Sequence, residues 1–214
     1  MDGLEKRAFE FDVRAEHDEA RGDIIVGRPI VYEKPTDIGG MFEETICAGA
    51  LDGADLRDVR FLVNHDLNKI PLARSRRNNG NSTMQLNVDK EGMEIRVCLD
   101  TENNAEAKAL YSAVNRGDIS GMSFMFGIDE EEWEDVESDY PKRKVKKIST
   151  VVEVSAVTFP AYKETSISAR NKEALESAKR AVETARRSKD VLESREQEDE
   201  LELIKLKNKI LGGF

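Results

Sequence analysis

A serine, Ser123, stands at the centre of an otherwise apolar stretch, GDISGMSFMFG, over residues 117–127. The alternation predicts a strand with the serine on one side and Met122, Phe124 and Phe126 on the other. A serine hydroxyl becomes a useful nucleophile when a base within hydrogen-bond reach takes its proton. A serine in a half-buried strand can equally bond a neighbouring backbone group, so this stretch alone leaves both interpretations open.

The base with the better position is His65, in DVRFLVNHD over residues 58–66. Val59, Phe61 and Val63 recur with the period of a strand, and the same period places His65 on their face. Imidazole exchanges protons near neutral pH, as a general base must. A core histidine at the end of a strand is the alternative. The other histidine, His17, lies among charged residues and is expected at the surface.

A single carboxylate, Glu153, interrupts the long apolar run TVVEVSAVTFPAY over residues 150–162. Alternation puts Val151 and Val157 on its face and Val154 on the other, so the strand is predicted to be buried on both sides. An isolated carboxylate is costly to bury, and a partner is therefore expected. That partner can be an arginine or a backbone group, or a histidine whose tautomer the carboxylate fixes.

Together and in this order, these stretches resemble the tailed-phage prohead (capsid maturation) serine proteases, which are related to the herpesvirus assemblin proteases. The resemblance spans roughly Ile24 to Arg170 and rests on these stretches: DIIVGRPIVYEK, MFEETICAGAL, FLVNHD, MQLNVDKEGMEIRVCLD, NRGDISGMSFMFGI and EVSAVTFPAYKET. It implies a serine endopeptidase with Ser123 as nucleophile and His65 as general base. Glu153 would be the third member, where the herpesvirus relatives use a second histidine.

The chain departs from the family pattern at Met125, where glycine is frequent two residues after the serine. Ser120, three residues before Ser123, is the rival nucleophile. In a triad of this kind the histidine takes the serine proton and returns it to the leaving amine, while the carboxylate orients the ring. Backbone amides are the expected donors to the oxyanion, but the sequence does not indicate which ones.

Many short strands and few helices predict an α+β fold with a mainly antiparallel sheet or barrel. The resemblance implies a herpesvirus-protease-like β-barrel surrounded by helices. A hairpin is predicted over residues 84–99 and a helix over residues 102–116, with Thr101 as N-cap and Gly117 at its end. The proposed division is an N-terminal segment (1–23), a prohead serine protease domain (24–170) and a helical or coiled-coil tail (171–214).

The tail contains two apolar groups at helical spacing, separated by SREQEDE. Without a core of its own, such a segment is stable mainly when it packs on a partner, which favours a scaffold-like or docking arm. A partly disordered, solvated tail is the alternative. Dimers among the herpesvirus relatives make a homodimer, or a higher assembly through the tail, a further expectation.

The net charge of −10 lies entirely in the first 170 residues, because residues 171–214 hold ten basic and ten acidic residues. This balance disfavours nucleic acid as a partner. Of the remaining charged groups, Arg74, Arg76 and Arg77 are predicted to form a solvated turn that could touch substrate. The acidic run DEEEWEDVES after Ile128 is predicted to form a mobile loop.

The two cysteines, Cys47 and Cys98, are too few for a disulfide framework. A thiol protease is considered and set aside, since both residues fit small apolar positions. Residues 1–23 lack the core of a signal peptide, and no stretch has the apolar length of a membrane span, so a cytosolic protein without a membrane partner is expected.

The resemblance gives the functional prediction: a serine endopeptidase of phage capsid assembly, in the host cytoplasm inside the immature prohead. It would cleave scaffold or delivery segments of the major capsid protein and process itself, without a cofactor or metal. A non-catalytic assembly or scaffolding factor with a protease-like barrel is the main alternative. A hydrolase acting on a small ester or amide is a weaker one.

Overall fold

The computed structural model describes residues 4–10, 13–158 and 169–211. Strands dominate this part of the chain, and the α-helices are α1 (Ala105–Asn115) and α2 (Ala169–Leu211). The strands are β1 (Leu4–Glu10), β2 (Arg14–Asp18), β3 (Gly22–Val31), β4 (Thr36–Asp37), β5 (Glu43–Ile46), β6 (Asp58–Val63), β7 (Ala73–Arg76), β8 (Met84–Asp89), β9 (Gly92–Cys98), β10 (Gly121–Glu134) and β11 (Lys142–Val157).

The larger sheet is built on the two longest strands, β10 and β11, which pair antiparallel. Strand β1 lies along the other edge of β10. Because β11 has 16 residues, its outer edge takes two short parallel partners, β5 near the start and β6 near the end. Strand β4 extends the sheet from β5, and β7 extends it from β6.

The smaller sheet is antiparallel, in the order β2-β3-β9-β8. The predicted hairpin is confirmed as β8 and β9. Its turn ends at Gly92, with φ 134°, where an added Cβ would lie 2.0 Å from the Ile30 carbonyl oxygen, so only glycine fits. Strand β3 contains a register shift between Gly27 and Ile30.

The two sheets enclose the main hydrophobic core. Met122, Phe124 and Phe126 of β10 are buried in it, as the alternation in the sequence predicted. The α+β class with mainly antiparallel strands is confirmed. The described strands form two open sheets and no closed barrel is seen among them, so the barrel stays a prediction.

Helix α1 is shorter at its start than predicted. Its N-cap is Asn104, whose side-chain oxygen accepts hydrogen bonds from the backbone amides of Glu106 and Ala107. Thr101, the predicted cap, instead donates to Asp23 at 2.6 Å. The N-cap prediction was therefore wrong, because a tertiary partner takes the Thr101 hydroxyl. Gly117 follows the helix with φ 78°, as a helix stop requires.

The acidic run after Ile128 was predicted to be a mobile loop, and this was wrong for residues 129–134. Residues 129–134 continue β10 and pair with the start of β11, where lysines face the glutamates. Lys144 bonds Glu134 at 2.5 Å, and Lys146 lies 3.0 Å from Glu132. Charge complementarity across the strands favours the pairing of this acidic segment with the basic start of β11.

Helix α2 has a docked part and a projecting part. Ala178 and Val182 pack against Ile38 and Phe42 in a second, small core cluster. Arg186 donates hydrogen bonds to the backbone carbonyls of residues 136 and 138. Farther along, the apolar side chains are exposed: Val191, Leu192, Leu201, Leu203, Ile204 and Leu206. The helix is continuous through SREQEDE, whereas the coiled coil stays a prediction.

The proposed domain division also stays a prediction. Strands β1 and β2 lie in the segment placed before residue 24, and each is hydrogen-bonded into a sheet of the body. Within the described residues, no helix combines the length and apolarity that a membrane crossing requires.

Candidate active site

The candidate site lies on the face of the larger sheet that is turned away from the main core. Ser123 pairs with Ser155, and Met125 pairs with Glu153, across β10 and β11. Directly opposed residues of antiparallel strands place their side chains on the same face. Ser123, Ser155 and Glu153 therefore share one face, and all three have 0 % exposed surface.

A register shift in β11 corrects the predicted neighbours of Glu153. Alternation placed Val151 on the face of Glu153, but Val151 pairs with Phe126 and packs in the main core. The pairing of β10 with β11 shifts between Met125 and Phe126, so that Val152 is the extra residue. An extra residue reverses the faces on its two sides. The bulge turns the carboxylate of Glu153 away from the core.

His65 reaches the same face by a turn and not by strand alternation. Strand β6 ends at Val63, and Asn64 and His65 have positive φ angles of 53° and 57°. The prediction that His65 continues the face of Phe61 was therefore wrong. Asn64 anchors the turn: its backbone N–H donates to the Ala156 carbonyl at 2.9 Å, and its side-chain oxygen accepts hydrogen bonds from the backbone N–H and the hydroxyl of Thr158. These bonds hold a left-handed conformation that is otherwise unfavourable.

The imidazole of His65 meets the carboxylate of Glu153. Nδ1 of the ring contacts Oε1 of Glu153, and the hydroxyl of Ser155 donates to Oε2 at 2.6 Å. The same hydroxyl accepts the backbone N–H of His65 at 3.0 Å. A carboxylate on Nδ1 keeps the ring proton there, so that the lone pair lies on Nε2. Ser155 therefore links the carboxylate and the backbone of the histidine.

Ser123 lies beside this group but its hydroxyl is directed elsewhere. It donates a hydrogen bond to the backbone carbonyl of Arg7 in β1 at 2.8 Å. In the part of the chain that the structure describes, it makes no hydrogen bond to His65. The rival serine, Ser120, is exposed and precedes β10, outside the pairing with β11. Of the two serines, only Ser123 shares the face of Glu153.

A charge cluster, here called the β1 clasp, ties β1 to the sheet; Arg7, Glu44 and Arg143 are its buried members. The clasp consists of Glu5 and Arg7 in β1, Glu44 in β5, Glu131 in β10 and Arg143 in β11. Arg7 bonds both oxygens of Glu44, at 2.6 and 2.8 Å, and also contacts Glu5. Arg143 bonds both oxygens of Glu5 at 2.7 Å and also bonds Glu44 and Glu131.

Two opposing effects act on the carboxyl of Glu5. Burial favours its neutral form, but Arg7 and Arg143 outweigh burial and hold the pKa at about 2, below the usual 4.5. Glu5 is therefore ionised at neutral pH.

Three further sequence candidates lie away from this face. His17 is exposed and its Nδ1 is 2.9 Å from Asp23, in agreement with the surface prediction. Burial raises the pKa of the Cys47 thiol, which disfavours the thiolate that a thiol protease needs. The turn predicted for Arg74, Arg76 and Arg77 was wrong for the first two, which lie in β7 and pair with β6. The three arginines line an open cleft of about 430 Å³, together with Asp55, Arg57, Asp58, Thr150 and Val152.

Residues 9–180 match the family described as Caudovirus prohead serine protease. The chain belongs to this family. The predicted recognition is thereby confirmed, and the family is one of serine peptidases by its description. No curated protein and no solved structure matches the chain. The matched range contains His65, Ser123 and Glu153, whereas most of β1 precedes it.

Sequence reasoning missed Ser155, Asn64 and the β1 clasp. Ser155 carried a signal, because a hydroxyl two residues after Glu153 in the same strand must share its face. Asn64 carried a weaker one, since asparagine is among the residues that tolerate positive φ. The clasp joins residues that are up to 138 positions apart, and no local pattern connects them.

Proposed function

We propose that the chain is a serine endopeptidase of phage capsid assembly, with Ser123 as nucleophile, His65 as general base and Glu153 as the third member of the triad. Family membership supports the reaction class. The observation that carries the residue assignment is the contact of His65 Nδ1 with a fully buried carboxylate, on the sheet face that Ser123 shares.

In the proposed reaction, the hydroxyl oxygen of Ser123 attacks the peptide carbonyl while Nε2 of His65 takes the hydroxyl proton. The proton then passes to the leaving amine, and water hydrolyses the acyl-enzyme by the same route. Glu153 holds the imidazole in the required tautomer and stabilises the imidazolium. Ser155 is a positioning residue, because it bonds both Glu153 and the backbone of His65. Backbone amides would supply the oxyanion donors.

The proposed substrates are scaffold or delivery segments of the major capsid protein, and the enzyme would also cleave itself. It would act inside the immature prohead in the host cytoplasm, where confinement gives a high effective substrate concentration. The projecting part of α2, with its exposed leucines, suits an assembly arm that forms a coiled coil or a homodimer. We further propose that the two sheets belong to a barrel of the herpesvirus-protease type.

The test follows the intact mass of the full chain over time, alone and with the major capsid protein of the same phage. The wild type should cleave, Ser120→Ala should behave like the wild type, and Ser123→Ala should remain inert, since loss of a triad serine costs on the order of a million-fold in rate. An inert Ser120→Ala beside an active Ser123→Ala would refute the assignment of Ser123 as the nucleophile. The protease would be refuted if the chain leaves its capsid protein intact both as wild type and as Arg7→Met, which removes the bonds of β1 to Glu44.

A second candidate function is a non-catalytic assembly factor. One observation favours it: the Ser123 hydroxyl is buried and donates to the Arg7 carbonyl and not to a base. The full set of His65, Ser123 and Glu153 favours the enzyme, because a scaffold has no chemical need for a buried carboxylate against a histidine.

A further inference from the structure

The hydrogen bond of Ser123 to β1 is incompatible with base catalysis. A nucleophilic hydroxyl must give its proton to the base during attack. Here the proton points at the Arg7 carbonyl, and the hydroxyl has no exposed surface. A substrate carbonyl can approach Ser123 only after this contact has broken.

Strand β1 is placed as an extended peptide would be. It pairs antiparallel with β10 in unbroken register from Leu4↔Gly127 to Glu10↔Gly121, and residue 8 lies opposite Ser123. The edge of β10 that faces away from β11 is thus filled by the chain itself. An extended peptide that adds to a sheet edge needs the same backbone groups.

The β1 clasp explains what holds this strand. Arg7 and Glu44 are almost fully buried and joined by two hydrogen bonds, and Arg143 binds Glu5 with two more. Charged hydrogen bonds of this bidentate kind are strong and directional. Most of β1 precedes residue 9, where the family match begins.

Accordingly, we infer that β1 is an autoinhibitory strap. The clasp holds β1 on the edge of β10, and the Arg7 carbonyl of β1 keeps the Ser123 hydroxyl in an inactive hydrogen bond. An extended peptide substrate can reach Ser123 only by displacing β1. This inference rests on the proposed function for its catalytic meaning. Its structural content, that β1 controls access to position 123, stands without it.

Access to position 123 is measured by the reactivity of an introduced thiol, an assay that does not depend on protease activity. In a full chain carrying Ser123→Cys, the rate at which iodoacetamide alkylates the introduced thiol is followed by peptide mass mapping. Adding Arg7→Met removes the bonds of β1 to Glu44 and should accelerate this alkylation about tenfold or more. Adding Arg28→Met is the matched control, because it removes the bidentate pair with Asp89 in the other sheet and should leave the rate at position 123 unchanged.

The native cysteines of the same molecule, Cys47 and Cys98, report general unfolding. Acceleration at position 123 alone supports the strap, whereas equal acceleration at all three thiols contradicts a selective release. If Arg7→Met unfolds the chain, Glu5→Gln is used in its place, since it removes one charge of the clasp and keeps the shape. Failure of every clasp variant to accelerate alkylation selectively at position 123 overturns the inference.

Proteolysis is the second arm and separates the two proposals. With Ser123 in place, Arg7→Met should cleave the capsid protein, and react with a fluorophosphonate, about tenfold faster than the wild type. Faster alkylation at position 123 without any proteolysis would refute the protease and retain the strap. Proteolysis in the wild type with unchanged alkylation would retain the protease and refute the strap.

Discussion

The two halves of the β10–β11 pair are both antiparallel and differ in their chemistry. In the inner half, residues 121–127 face 150–157, and the polar side chains of Ser123, Glu153 and Ser155 are fully buried. In the outer half, residues 130–134 face 142–147, and glutamates meet lysines with much of their surface exposed.

Burial, more than residue type, decides how strongly a carboxylate of this sheet interacts with a basic side chain. Glu153 and Glu134 lie on the same strand pair, and each contacts one basic side chain. In the inner half the contact with His65 is shielded from water, so it is strong and fixes the orientation of the ring. In the outer half the contact with Lys144 is screened, and its expected contribution is small. Two residues of the β1 clasp, Glu131 and Arg143, belong to the outer half, where Arg143 is buried.

The largest difference in rate is expected when one carboxylate is removed from each half. Glu153→Ala should lower kcat by about four orders of magnitude, because the imidazole loses its fixed tautomer and its counter-charge. Glu134→Ala should leave kcat within about twofold, since an exposed pair contributes little. Both rates are measured on the capsid protein. A Glu153→Ala enzyme as fast as Glu134→Ala would exclude Glu153 from the triad.

The next effect concerns stability. Arg143→Met leaves Glu5, Glu44 and Glu131 without their shared cation and should destabilise the fold by about 3–5 kcal/mol. Lys144, the residue next to Arg143 in β11, provides the control: Lys144→Met should change the free energy of unfolding by less than about 0.5 kcal/mol. Urea denaturation of both variants measures the difference. Equal midpoints for the two variants would mean that the clasp does not contribute to stability.

Acid should weaken the clasp in a defined window. The pKa of Glu5 is about 2 in the folded chain and 4.5 ordinarily, so the folded state favours its ionised form. This stabilisation is complete above pH 4.5 and is lost as the pH falls towards 2, by up to about 3 kcal/mol. Urea midpoints between about pH 6 and 3 measure it, and Glu5→Gln should flatten the slope. An unchanged slope in Glu5→Gln would assign the acid sensitivity to other carboxylates.

The smallest expected effect on rate concerns Ser155, in the inner half. Ser155→Ala removes one hydrogen bond to Glu153 and one from the His65 backbone, and kcat should fall about tenfold at constant KM. Ser155→Thr keeps the hydroxyl and should recover most of the rate. A purely structural role would lower thermal stability and leave kcat of the folded enzyme unchanged. Thermal melts and steady-state kinetics on the same samples distinguish the two roles.

Much of the fold was predictable because its signals are local. The period of two in Met122, Phe124 and Phe126 identified the core face of β10, and the alternation over residues 84–99 identified a hairpin. Predictions failed where a distant partner changed the local preference. Thr101 bonds Asp23 and leaves the N-cap to Asn104, and the acidic run becomes a strand because lysines of β11 face it.

The family and the candidate residues of the site could be recognised from the sequence, since residue type, periodicity and ordered motifs are written along the chain. Only the tertiary structure decided their surroundings. The bulge at Val152 turned Glu153 away from the core, and the turn at Asn64 brought His65 to Glu153. The hydroxyl of Ser123 is bonded to the Arg7 carbonyl of β1. Each of these depends on contacts between residues far apart in the chain, whose geometry exists only once the two sheets have formed.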